Sequence, residues 1–181
     1  MSSIPVWLNP TQIIGLTANL LAMVLCGVAW AKVSGPPHRN RLAAILAILE
    51  AALFVDMLFN GRWKLHDLLA GEAKATGLYA GRTDPQIAVL FLLAGFALAG
   101  LGFTVWRLRK RPGAFVAACG GLLSLICWCA EVVSLHAVDA MLYHTIHGFM
   151  AVSLVWITCA LMTGLGILWD TFPIRIGKKL G

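Results

Sequence analysis

Hydrophobic residues in this chain come in long unbroken runs. They show neither the alternation of a strand nor the narrow stripe of a soluble helix. Five runs approach the roughly 20 apolar residues a helix needs to cross a bilayer. They are QIIGLTANLLAMVLCGVAWA (12–31), LAAILAILEAALFVDMLF (42–59), IAVLFLLAGFALAGLGFTVW (87–106), AFVAACGGLLSLICWCAEVVSL (114–135) and GFMAVSLVWITCALMTGLGILW (148–169). The pattern predicts an all-α integral membrane bundle of five transmembrane helices, folded as a single domain over residues 1–181. Met1–Pro10 lacks a basic n-region and no A-x-A site follows, so the first run is expected to remain as a span and not leave as a signal peptide.

The polar connections orient these spans. Lys32, Arg39 and Arg41 follow the first, Arg107, Arg109, Lys110 and Arg111 the third, and Arg175, Lys178 and Lys179 the fifth. The opposite side carries only Arg62, Lys64, Lys74 and Arg82, all in one long link. Because basic residues gather on the cytoplasmic side, this asymmetry predicts an inner (plasma) membrane protein with its N-terminus outside and its C-terminus cytoplasmic. The long outer link, 60–86, has Leu65, Leu68, Leu69 and Ala73 at helical spacing, which predicts a short amphipathic interfacial helix. Gly77 and Gly81 are expected to close it and TDPQ to break the chain before the third span, with Trp63 and Tyr79 as interfacial anchors.

Composition removes competing classes. The chain is 60% hydrophobic and 12% charged, whereas soluble domains carry about 25% charged residues. The net charge of +6 sits at the ends of apolar runs, so it implies the lipid bilayer and not nucleic acid as the partner. All five cysteines (Cys26, Cys119, Cys127, Cys129, Cys159) fall inside the runs and read as packing residues. Cys127 and Cys129 point about 200° apart on a helix and suit neither a bridge nor a shared metal. Gly95, Ala99 and Phe103, Gly100 and Thr104, and the stretch AACGG predict close helix contact in lipid. The two halves are not inverted copies, which counts against a transporter fold.

Candidate chemistry collects on the outer side. Residues 134–148, SLHAVDAMLYHTIHG, hold His136, Asp139, Tyr143, His144 and His147, and the first outer link holds His66. If 134–147 is one helix, His136, Asp139, Tyr143 and His147 share a face. Imidazole and carboxylate are ligands for copper, and two facing histidines hold a haem iron. His66 with His136 or His147 is the expected haem pair, with Tyr143 nearby, and His136, Asp139, His144, His147 and Glu131 form the expected metal set. No H-E-x-x-H or C-x-x-C motif supports this, and the same residues suit an ordinary membrane–water boundary, with Thr145 as a helix cap. Glu50 and Asp56 interrupt an apolar run, where an ionisable group costs at least about 2.5–3.5 kcal/mol and must face the bundle interior. They read as a proton or ion site, or for Glu50 as a hydrogen bond to Asn19 or Thr104. Arg62 is expected to pair with Asp56 or Glu131, and Asp56, Asn60, Trp63 and Asp67 would share a face if the second span continued past Gly61.

With no catalytic triad and no phosphate loop, the leading expectation is an accessory or membrane-anchor subunit of a larger membrane complex, or a homo-oligomer. The alternatives are a redox or metal protein holding haem b, copper or a quinone near the outer face, and a proton-coupled carrier or channel using Glu50 and Asp56.

Overall fold

The computed structural model describes residues 9–32, 37–146 and 148–172. His147, the tail residues Arg175, Lys178 and Lys179, and almost all of the Met1–Pro10 segment lie outside these ranges. The element order is α1 (Pro10–Lys32), α2 (Pro37–Phe59), α3 (Gly61–Ala75), a 3-10 turn (Leu78–Gly81), α4 (Thr83–Leu108), α5 (Pro112–Val133), α6 (His136–Leu142), β1 (Thr145–Ile146), β2 (Phe149–Met150) and α7 (Ala151–Thr171). Five of these helices (α1, α2, α4, α5 and α7) are long and apolar enough to cross a membrane, so the chain is a multi-pass membrane protein. Each overlaps its predicted run closely.

α5 packs along α7, α7 along α1, and α1 along α2, with α2 also touching α5. Lipid supplies no hydrophobic force between helices, so backbones gain attraction by approaching closely. Glycines permit this where α5 meets α7. A Cβ on Gly120 would stand 2.6 Å from the Thr163 backbone nitrogen, and one on Gly166 would stand 2.6 Å from that of Ala117. The expected stripe on α4 is different. Nothing lies within 4 Å of where a Cβ on Gly95 or Gly102 would be, and Phe103 is exposed, so these residues look outward. α4 leans on α5 by one edge, where a Cβ on Gly100 would stand 3.1 Å from the Leu122 side chain and Thr104 is buried.

Three local expectations change. The second span stops at Phe59, because Asn60 takes a left-handed conformation (φ 54°), so Asp56, Asn60, Trp63 and Asp67 do not share one helix face. TDPQ does not break the chain but forms the first turn of α4, where the N–H that Pro85 lacks would have no helical partner anyway. Residues 134–147 are not one helix: α6 ends at Leu142, and a two-stranded hairpin through Gly148 (φ 87°) follows. Thr145 therefore lies in β1 and caps nothing, and α7 starts at Ala151.

α3 also corrects a simple picture of amphipathicity. Leu65, Leu68 and Leu69 are exposed to the surroundings, while Arg62 is buried and His66 is half-buried against the bundle. In lipid the apolar face of an interfacial helix turns outward and the polar face is available for the protein.

Candidate functional site

The end of the bundle that carries α3, α6 and the hairpin brings most of the predicted residues together. Arg62, in the first turn of α3, donates to Glu131 near the end of α5 at 2.7 Å, and both side chains are almost fully buried. Of the two partners expected for Arg62, the structure selects Glu131. The guanidinium also lies over Trp156, 4.7 Å from the ring centroid, which shields the pair from below. The Tyr143 hydroxyl donates to the other Glu131 oxygen at 3.4 Å. Burial, followed by the neighbouring Glu131 charge, pushes the Tyr143 phenol above its ordinary value.

Asp56 reaches the same region from α2. It lines a small cavity of about 10 Å³ with Asn19, Arg62, Ser124, Trp128, Glu131 and Trp156. Asp56 Oδ2, Arg62 Nε and Trp128 Nε1 are buried there without a protein hydrogen-bond partner. Gly61 makes room for the carboxylate at this corner, because a Cβ on it would meet Asp56 Oδ1 at 2.6 Å.

One turn further along α3, the ring Nδ1 of His66 lies 3.2 Å from the Val132 carbonyl oxygen. A carbonyl only accepts, so Nδ1 is the donor in this contact. Gln86, at the start of α4, donates to the carbonyls of Val133 (3.0 Å) and Ser134 (3.3 Å). The last carbonyls of a helix have no partner within it. Here α3 and α4 supply those partners to α5, and the three helix ends are fastened together.

Around this joint lies a second cavity of about 320 Å³. Leu69, Ala73, Pro85, Val89 and Val133 make its walls apolar, and His66, Arg82, Gln86 and His136 contribute its polar groups. The predicted pairing of His66 with His136 is thus brought to a single cavity. Arg82 stacks on Tyr79 at 3.8 Å and donates to its carbonyl. The Trp63 ring centroid lies 6.2 Å from that of His66 and 5.7 Å from that of Tyr143.

Other predicted residues are placed elsewhere. Asp139 accepts a 2.6 Å hydrogen bond from Ser134, and His144 is exposed. With 134–147 broken into helix and hairpin, His136 and Asp139 stay together on α6 with Tyr143 directly after it, while His144 falls beyond the helix and His147 lies outside the described residues. Among the described residues, no three His, Cys, Asp or Glu side chains converge as metal ligands. Glu50 is fully buried in the middle of α2, and neither carboxylate oxygen has a hydrogen-bond partner. The expected donors are occupied or distant: Thr104 bonds the Gly100 carbonyl, and Asn19 lines the Asp56 cavity. All five cysteines are free.

Gln86, Arg82, Ser134, Trp128 and Trp156 were not among the expected site residues. Gln86 had one usable signal, an amide at the edge of an apolar span. The tryptophans had none, because indoles are common throughout membrane helices. At the opposite end, Arg111 forms a two-pronged pair with Asp170 that joins α5 to α7, with Nε donating to Oδ1 at 3.1 Å. No family model matches the chain, and no curated protein or solved structure is significantly similar to it.

Proposed function

We propose that this membrane protein holds the head group of a lipid-soluble ligand of the quinone class in the cavity between α3, α4 and α5. The supporting observation is the lining of that 320 Å³ space: apolar walls, with His66, His136 and Arg82 as side chains able to meet a carbonyl oxygen. A quinone carries two carbonyl oxygens on a flat apolar ring, and its tail needs a lipid environment. Copper, another group suggested by the histidines, receives less support because no three His, Cys, Asp or Glu side chains converge among the described residues. We place this end of the bundle at the outer face of the inner membrane, with the C-terminus cytoplasmic, on the basic residues of the other end.

The test is saturable quenching of tryptophan emission by a short-chain quinone in the purified protein. His66→Ala and His136→Ala should each weaken binding by about tenfold, roughly 1.4 kcal/mol, with helical content unchanged. No saturable quenching, or an affinity unchanged from the parent in both variants, removes the proposal.

A role as an accessory subunit, in a larger complex or a homo-oligomer, is compatible with ligand binding. It is favoured by α4, which touches the bundle by one edge and turns Phe91, Phe96, Phe103 and Trp106 outward. A particle of one chain's mass in a mild detergent would rule it out.

A further inference from the structure

Glu50 sits in the middle of the membrane segment Arg41–Phe59, about 13 Å along the helix from either end. It is 0% exposed and forms no ion pair among the described residues. Its neighbours are Cys26 from α1 and Cys159 and Thr163 from α7, none of them a cation. The Thr163 hydroxyl already donates its only proton to the Cys159 carbonyl at 2.9 Å. The two Glu50 oxygens are left with no protein donor. An unpaired carboxylate at this depth would also carry the full cost of a charge in lipid. A proton on Glu50 removes that cost.

A route to that proton runs through the bundle interior. Ser124, beside Cys159, also lines the small cavity that holds Asn19, Asp56 and Glu131. Asp56 lies six residues from Glu50, about 9 Å along α2. The cavity has room for about one water molecule, and three unpartnered polar atoms belong to residues that line it. Thr163, Ser124 and Glu131, all buried, and the half-buried Asp56 are polar side chains spaced from the middle of the bundle to its histidine-bearing end. No comparable series is found among the described residues toward the Arg111–Asp170 end, where Cys26, Ala29, Ala43, Leu46, Ala117 and Ile167 form an apolar core.

We propose that Glu50 is a proton-binding site in the middle of the membrane, reached from the histidine-bearing end through Glu131, Asp56 and Ser124. The step is a simple protonation. A hydronium ion entering the small cavity gives its proton along these side chains to a Glu50 oxygen and leaves water, and release is the reverse. The site does not depend on the quinone cavity, so either proposal can fail alone.

Infrared spectroscopy of the full chain in lipid tests this directly. The chain has three glutamates, Glu50, Glu72 and Glu131, so carbon-13 glutamate labels few carboxyls. At neutral pH a protonated-carboxyl band sensitive to that label should be present. It should persist in a Glu72→Gln/Glu131→Gln variant, which leaves Glu50 as the only glutamate, and vanish in Glu50→Gln. Heavy water should shift it within minutes, and Asp56→Asn or Ser124→Ala should slow the shift by about tenfold, as expected for removal of a relay group. The proposal is overturned by absence of a label-sensitive protonated band, by a band that heavy water never shifts, or by an unchanged shift rate in both relay variants.

Discussion

Glu131 and Glu50 are both at most 2% exposed, yet their surroundings are opposite. Glu131 lies two residues before the end of α5, close enough to the interface for α3 to deliver Arg62, and Tyr143 adds a second donor. Glu50 lies at a depth that no connecting segment reaches, and its neighbours are a hydroxyl already in use and two thiols. The difference is one of supply. Guanidinium groups enter a membrane protein most cheaply from its ends, so a carboxylate near an end can keep its charge. One in the middle must hold a proton instead.

The sharpest way to break this comparison is to remove the cation. Arg62→Leu should destabilise the fold by about 3–5 kcal/mol, because it leaves the Glu131 charge buried and alone. The double variant Arg62→Leu/Glu131→Leu should recover most of that loss. Unfolding titrations in detergent measure both, and equal losses in the single and double variants would show that packing, not charge, dominates. A smaller effect of opposite sign is expected at the other carboxyl. Glu50→Met removes an unsatisfied buried polar group at similar volume and should stabilise by about 1–3 kcal/mol. A clear loss of stability would reveal a partner for Glu50 and erase the contrast.

The smallest effect concerns Tyr143. Its hydrogen bond to Glu131 is long, at 3.4 Å, so Tyr143→Phe should cost only about 0.5 kcal/mol at neutral pH. Burial and Glu131 raise the phenol in the folded state, so the folded protein keeps a proton that the unfolded chain surrenders near pH 10. Its contribution is complete below about pH 10 and is lost as pH rises beyond it, and the Phe variant should flatten that part of the stability profile. Unfolding midpoints on either side of about pH 10 provide the check.

Much of this architecture is legible along the chain because a span must be long and apolar, and little else satisfies the bilayer. The helix Gly61–Ala75 is legible for the same reason of spacing, but its orientation is not. Periodicity reveals two faces without saying which one meets protein, and in lipid Leu68 looks out while Arg62 looks in. The topology puts His66 and His136 on one side, and the structure brings them to one cavity. The single helix expected over 134–147 failed because regular spacing carries no information about where a short helix ends. Arg62 and Glu131 are 69 positions apart, and sequence offered two acids for one arginine; only packing could choose.

The left-handed turn at Asn60 separates α2 from α3, so α3 is a lever with its own pivot. Arg62 and His66 project from it one turn apart, the first into the ion pair and the second toward the cavity. A rotation of α3 that displaces either residue displaces the other by a similar amount. The pair with Glu131 and the His66 side of the cavity thus share one rigid support.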